Sequence, residues 1–283
     1  MHNDWKSIVR PIADGPYGIF VRNLLGLHPV HYYGPESKKI NSQYSVSDLF
    51  FWQSDKIWRT RFDLLNISSF IFPRSPCKER VSLVVYNSDG QEKKRIEFML
   101  EPFEMRKITF DEIAEGAGNY GTFAAFHDPE DAKLWEALDS CLCERGYVAL
   151  QRRNEGNNLW STVHGNSYAV AKKFQDEKIL SIRIPGRSNH TYRPQVSFDD
   201  CQESELIIVN QEDRIIDLLV RYLDMDGSAV NTWRVSMQPF ASKVIPVNNA
   251  KASTHRVEIC SQTYMHRPLV RKLYLSHFDI FHG

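Results

Sequence analysis

A pattern of 30 residues occurs twice in this 283-residue chain, and this internal repeat constrains the fold more than any other feature. The first copy spans Val81–Phe110 and the second spans Leu218–Val247, so equivalent residues differ by 137 in number. Each copy contains an Asp-Gly pair and, twelve residues after the Gly, a Pro-Phe pair. The repeat predicts two copies of one structural module.

The residues around each Asp-Gly pair have the pattern of a β-hairpin. Because side chains point to opposite faces along a strand, a half-buried strand has an apolar residue at every second position. Val81–Val85 and Ile96–Leu100 follow this pattern in the first copy, and Leu218–Tyr222 and Trp233–Met237 follow it in the second. Asp-Gly tolerates the positive φ of hairpin turns, and Pro ends a strand because it has no N–H to donate. We expect the Phe after each Pro to fill the end of a core.

The repeat extends beyond these hairpins. Phe62–Asn66 aligns with Leu206–Asn210, each ending in a turn-forming Asn, and Tyr120–Phe126 aligns loosely with His255–Ile259. Short strands at spacings of roughly 8–12 residues are typical of sandwiches and barrels. We therefore predict an all-β chain of two tandem antiparallel β-sandwich modules. Their strand rhythm resembles that of immunoglobulin and fibronectin type III domains, a resemblance that implies a fold and no functional residues.

We predict three segments along the chain. Residues 1–45, which are rich in aromatic side chains, form a cover segment packed on module one. Residues 46–170 form the first sandwich and residues 171–283 form the second. Between the repeated cores we expect two additions to module one, a helix over 129–145 and a hairpin over 147–164 that the second copy lacks.

The predicted helix depends on signals at both of its ends. Asp128 is a suitable N-cap, Pro129 suits the first helical position, and Gly146 suits the end. Apolar residues recur at helical spacing over Leu134–Leu142.

Composition favours a cytoplasmic protein without a nucleic-acid or membrane partner. Thirty-five acidic and thirty-five basic residues cancel, which removes the usual electrostatic signature of a nucleic-acid binder. No apolar run approaches the roughly 18–20 residues of a membrane helix, and the N-terminus lacks the pattern of a signal peptide. The five scattered cysteines suit a reducing compartment.

One group of aromatic and polar residues lies between the repeated cores, where the two copies differ. Aromatic faces stack on sugar rings, Asn, His and Arg form directed hydrogen bonds, and binding residues often lie on loops of a rigid scaffold. The predicted ligand-binding residues are Arg152, Trp160, His164, Asn166, Tyr168, Asn189, His190, Tyr192 and Arg193. Two alternatives remain open: an inter-module interface with buried aromatic rings and ion-paired arginines, and an ordinary surface.

The chain has none of the common catalytic motifs, such as a Gly-rich phosphate loop, G-x-S-x-G, H-E-x-x-H or C-x-x-C. His28 and His31, with Glu36 near, could hold zinc or iron, but their spacing is loose and packing or solvated histidines are the favoured interpretation. We therefore predict no catalytic residues, no cofactor and no metal.

The leading hypothesis is a non-catalytic binding protein whose ligand is a carbohydrate or sugar derivative. One alternative is a protein-assembly module that forms a homodimer through residues 1–45 or through an edge strand. The other is a metal-dependent enzyme that uses some of the ten histidines.

Overall fold

The computed structural model describes residues 44–129, 143–144, 146–153, 159–165, 167–172, 179–180, 190–198, 200–212, 214–247, 254–261 and 268–283. Residues 1–43 of the predicted cover segment, with His28 and His31, lie outside this described part. So do Asn166, Asn189 and the side chain of Tyr168. No helix among the described residues is long and apolar enough to cross a membrane.

The described chain is all-β apart from two short helices. The elements of module one are β1 (Tyr44–Gln53), β2 (Trp58–Leu65), α1 (Ile67–Ile71), β3 (Glu79–Asn87), β4 (Glu92–Leu100), β5 (Met105–Thr109), α2 (Phe110–Ile113), β6 (Tyr120–Pro129), β7 (Cys143–Glu144), β8 (Val148–Arg152), β9 (Ser161–Val163), β10 (Ser167–Lys172) and β11 (Ile179–Leu180). Those of module two are β12 (His190–Tyr192), β13 (Glu203–Val209), β14 (Ile216–Leu223), β15 (Ala229–Met237), β16 (Ser242–Val247), β17 (Arg256–Ser261), β18 (Leu269–Leu273) and β19 (Phe278–His282).

The two modules have the same sheet order. In module one, a sheet with the order β11-β10-β1-β6-β3-β4, in which β7 also pairs in parallel with β1, accompanies a sheet with the order β5-β2-β8-β9. Module two has β12-β17-β14-β15 and β16-β13-β18-β19. The segment β1-β6-β3-β4 therefore corresponds to the first sheet of module two, and the remaining sheets correspond to each other. The all-β class is confirmed, and the sheets are consistent with the predicted pair of sandwich modules.

The predicted hairpin over 147–164 is present as β8 and β9, but its predicted absence from the second copy is wrong. In module two, β18 and β19 form the same antiparallel hairpin at the same place in the sheet order. The equivalence is hidden in the sequence because the loops differ in length. Residues 153–160 connect the first hairpin, whereas residues 274–277 connect the second.

The ends of the predicted helix over 129–145 also need correction. Asp128 and Pro129 are the last residues of β6, and the Asp128 carboxylate accepts a hydrogen bond of 3.0 Å from Arg80 on β3 rather than acting as a cap. Cys143 and Glu144 form the short strand β7. Residues 130–142 lie outside the described part. The module-one sheet also includes β11, which lies beyond the predicted boundary at residue 170.

The repeated Pro-Phe pairs form tight turns with an unusual backbone. Gly90 and Gly227 have φ values of 78° and 82°, as expected for Asp-Gly hairpins, but Phe103 and Phe240 also have positive φ, at 62° and 58°. A side chain at positive φ costs roughly 1–2 kcal/mol. The Phe103 ring lies 5.5 Å from that of Phe70, and Phe103 is 45% exposed, so the prediction that it fills a core is wrong.

A fully buried Asn stabilises each of these turns. The Asn66 side chain donates to the carbonyl oxygens of Leu100 and Glu101, at 3.5 and 3.0 Å. In module two, Asn210 donates to the equivalent oxygens of Met237 and Gln238, at 3.3 and 2.8 Å. Because a buried carbonyl without a partner is costly, the aligned Asn residues help to stabilise the turn that follows.

Module two packs on the outer face of the main module-one sheet. Leu49, Val84 and Ala124 of module one form one apolar cluster with Val209 of module two, and Phe240 packs against it. The turn at Gly90 touches the second Pro-Phe turn so closely that an added Cβ would lie 1.8 Å from a backbone oxygen there. A residue with a side chain does not fit this position, so the close contact requires Gly.

Arg271 lies fully buried at the junction of the modules. Its guanidinium donates to Gln53 of module one at 2.8 Å and to Glu205 of module two at 2.6 Å. The same group lies 4.0 Å from the ring centre of Trp58, and the Phe278 ring packs against Trp58 at 4.8 Å. The sheet containing β13 and β18 is thus covered on both faces, by the module-two core and by module one.

Candidate functional site

The sequence-predicted site residues belong to two separate modules. Trp160 and His164 contact side chains of module one, whereas Tyr192 and Arg193 contact residues of module two. Arg152 lies near the junction: burial is the main reason that the pKa of Arg271 is lowered, and the charge of Arg152 adds a smaller contribution. Arg152 thus lies near the inter-module junction, while the other described residues divide between the two modules.

The module-two members face different sides of their sheet. Tyr192 packs against the module-two core, and its hydroxyl donates to the carbonyl oxygen of Gly283. His190, half-buried, is in register with the core-facing Ser261. Arg193 instead points outward and forms an ion pair of 2.6 Å with Glu258. Of these three residues, Arg193 is the one placed on an open surface.

Trp160 lies, partly exposed, on the outer sheet face of module one. The Arg61 guanidinium packs over its ring at 4.8 Å, a cation–π contact. Asp63, which forms a 3.1 Å ion pair with Arg61, is in register with Lys107 on the neighbouring strand. We call this surface the Trp160 face: the outer face of the sheet β5-β2-β8-β9, with Arg61, Asp63, Lys107, Tyr147 and Trp160. It combines one partly covered indole with charged groups of both signs.

The Tyr147 and His164 rings extend the Trp160 face at one side. The ring centres lie 3.9 Å apart with their planes tilted by 38°, and Tyr147 is 53% exposed. An exposed aromatic ring beside a second ring offers a flat apolar surface with polar atoms at its rim. A sugar ring has the complementary form, with C–H groups on its face and hydroxyls around its edge.

Asp111 fixes an ion-pair cluster near the other end of this face. Its carboxylate accepts hydrogen bonds from Arg59 at 2.7 Å, from Arg153 at 2.5 Å and from the Ser54 hydroxyl. Burial opposes ionisation of Asp111, but these hydrogen bonds and charges outweigh it and lower the pKa of the carboxyl. Asp111 therefore stays ionised at neutral pH, and Arg153 borders an open hollow of about 670 Å³.

Module two has an open sheet face of different chemistry. We call it the arginine face: the outer face of β12-β17-β14-β15, which carries Arg193, Arg221, Arg234, Arg256, Asp217 and Glu258. It contains a hollow of about 730 Å³ that is lined in part by Asp217, Arg221, Arg234, Thr191 and Ser236. Glu258 accepts from Arg221 at 2.8 Å and from Arg193 at 2.9 Å. Burial opposes ionisation of Glu258, but the two arginines prevail and lower its pKa.

The described residues contain no group of three or more His, Cys, Asp or Glu side chains that could hold a metal ion. His127 instead lies 3.3 Å from Glu79 inside module one.

Sequence reasoning missed most residues of both faces. Arg59, Arg61 and Asp63 occupy every second position of β2, which is the pattern of an outward sheet face and was available in the sequence. Arg221 and Glu258 could have been found by comparing the two copies position by position. Their equivalents in module one are apolar, so the difference marks a surface with another role.

No protein-family model matches this chain, and no curated protein matches it.

Proposed function

We propose that this chain is a non-catalytic binding protein that takes a carbohydrate or sugar derivative on the Trp160 face. The observation that carries the proposal is the contrast between equivalent sheet faces. In module two this face carries Ile207 and Val209 beside the buried Arg271, and it packs against module one. In module one the aligned positions are Asp63 and Leu65, which are partly exposed, as Trp160 is, whereas Tyr147 is exposed. A partly exposed face with Trp160, Tyr147 and charged groups suits a polar ligand that has a flat apolar side.

The cellular location and the immunoglobulin-like class of the modules are further proposals. The cytoplasmic location is a prediction from composition. Assignment of the modules to the immunoglobulin class is also a prediction, and the strand order weighs against it. In immunoglobulin domains the first two strands are neighbours in one sheet, whereas β1 and β2, like β12 and β13, lie in different sheets.

Binding to a glycan array tests the proposal. The purified full chain should give a set of hits that share one sugar, and Trp160→Ala should weaken binding of that sugar at least tenfold, because the stacking surface is lost. The thermal midpoint of the variant should stay close to that of the wild type, because Trp160 is only half-buried.

Trp233→Ala is the matched control, because Trp233 is a 40% exposed indole on β15 of module two. It should leave sugar binding unchanged. If Trp160→Ala instead costs roughly 3–5 kcal/mol of stability, the indole is a packing residue and the proposal fails.

Protein assembly remains the second candidate because of one apolar surface. Phe70, Ile71, Phe103 and Met105 lie around the first Pro-Phe turn and are all at least 45% exposed. Phe240, the equivalent of Phe103, packs at the junction of the modules. A blank glycan array from well-folded protein would favour this candidate.

A further inference from the structure

The arginine face of module two occupies the same position as the most apolar outer surface of module one. Val84 and Ala124 are direct partners in register on β3 and β6, where module two covers them. The direct partners at the equivalent places on β14 and β17 are Arg221 and Glu258. Because both modules build the same sheet, folding alone does not require charged residues here.

The charges of this face are partly fixed and partly free. Glu258 is shared between Arg193 and Arg221, and of these two arginines Arg221 lines the hollow. Arg234, in register with Leu219 on the next strand, lines the same hollow. Within the ranges that the structure describes, the exposed Arg234 side chain forms no hydrogen bond or ion pair.

The charge balance of the face is positive. Its four arginines exceed its two carboxylates, Asp217 and Glu258, so the described face has a net charge of +2. Covering these groups with an apolar protein surface would remove them from water without compensation. A guanidinium instead matches phosphate and carboxylate oxygens with two parallel hydrogen bonds. The nearby hydroxyls of Thr191 and Ser236 can donate further hydrogen bonds to such a group.

We propose that the arginine face is an anion-binding site that takes a small molecule through a phosphate or carboxylate group. Arg234 is the residue that contacts the anion, and Arg221, oriented by Glu258, provides the second cation. The hollow of about 730 Å³ lies within the range of small-ligand pockets, so it can hold more than the bare anion. This site is independent of the Trp160 face.

Isothermal titration of the full chain with inorganic phosphate, with glucuronate and with glucose tests this site. Wild-type protein should bind at least one of the two anions saturably, and any response to glucose should be the same in wild type and in Arg234→Gln. Arg234→Gln should weaken anion binding at least tenfold. The preferred anion distinguishes a phosphate ligand from a carboxylate ligand.

Arg74→Gln is the control for net charge, because Arg74 is an exposed arginine in the loop before β3 of module one. It should bind the anion as the wild type does, and so should Trp160→Ala. The inference is overturned if neither anion binds saturably, or if Arg234→Gln binds as tightly as the wild type. Loss of anion binding in Trp160→Ala would also overturn it, because the anion would then belong to the other face.

Discussion

Glu79 and His127 form a carboxylate–imidazole pair in module one that is fully shielded from water. The two side chains approach within 3.3 Å, and both have zero exposure. The backbone N–H of Ser68 also donates to Glu79, at 3.4 Å. Register places Ile216 and Ser261 at the equivalent positions of module two. The same sandwich therefore forms without this pair, so the pair is a specific feature of module one.

Removing one member of the pair should be costly, because the other stays buried and loses a polar contact. We expect Glu79→Ile to lower the free energy of unfolding by roughly 3–5 kcal/mol. The double variant Glu79→Ile/His127→Ser, which has the residues of module two, should lose less than the two single variants added together. Urea unfolding of the four proteins at pH 7 measures this coupling. Additive losses would show that the two side chains do not depend on each other.

Some roles of single residues were visible in the sequence and others were not. The alignment of Asn66 with Asn210 was found from the strand pattern, and both residues have the same hydrogen-bonding role. Their role in stabilising the Pro-Phe turns was not visible, because it depends on the distance between segments far apart in the chain. The contact of Trp160 with Arg61 was hidden for the same reason.

At the scale of elements, local sequence patterns predicted the positions of the strands well, but predicted less well which strand faces other parts of the chain cover. The hairpins around Gly90 and Gly227 form where alternation and Asp-Gly placed them. Leu206–Val209, in contrast, is a run of four buried apolar residues, because β13 is covered on both faces. Such a run was itself a signal of a second contact surface. The predicted helix does not begin at Asp128, because pairing with β3 continues through that residue.

The two Pro-Phe turns offer a comparison between strain and packing. Gly relieves the cost of positive φ at either turn. The Phe103 side chain is 45% exposed, so replacing it with Gly removes few buried contacts. We therefore expect Phe103→Gly to change the free energy of unfolding by no more than about 1 kcal/mol. Phe240 packs at the junction, so Phe240→Gly should be more destabilising by roughly 2 kcal/mol, within the range of partly buried Phe truncations. Chemical denaturation of both variants measures the difference, and equal losses would mean that Phe240 contributes no packing at the junction.

At the scale of the whole molecule, the described parts of the two modules meet through one face each, and each module has a second outer face with charged side chains. The joined faces share an apolar cluster, with Val84 on one side and Val209 on the other, beside the buried Arg271. The second faces carry Trp160 with Arg61, and Arg221 with Arg234. Polar outer faces also prevent a repeated module from adding further copies of itself. The repeat predicted that the modules would be alike, but their arrangement depends on the few positions at which they differ.

Arg271 should couple the unfolding of the two modules, because it is fully buried and bonded to both. We expect Arg271→Ala to lower the free energy of unfolding by about 3 kcal/mol, since Gln53 and Trp58 lose a buried partner while the partly exposed Glu205 recovers water. The urea dependence should also become shallower, because less surface is then exposed in a single cooperative step. Arg74→Ala, which removes an exposed arginine, should leave the midpoint and the slope unchanged. A wild-type midpoint and slope in Arg271→Ala would show that the apolar contact alone holds the modules together.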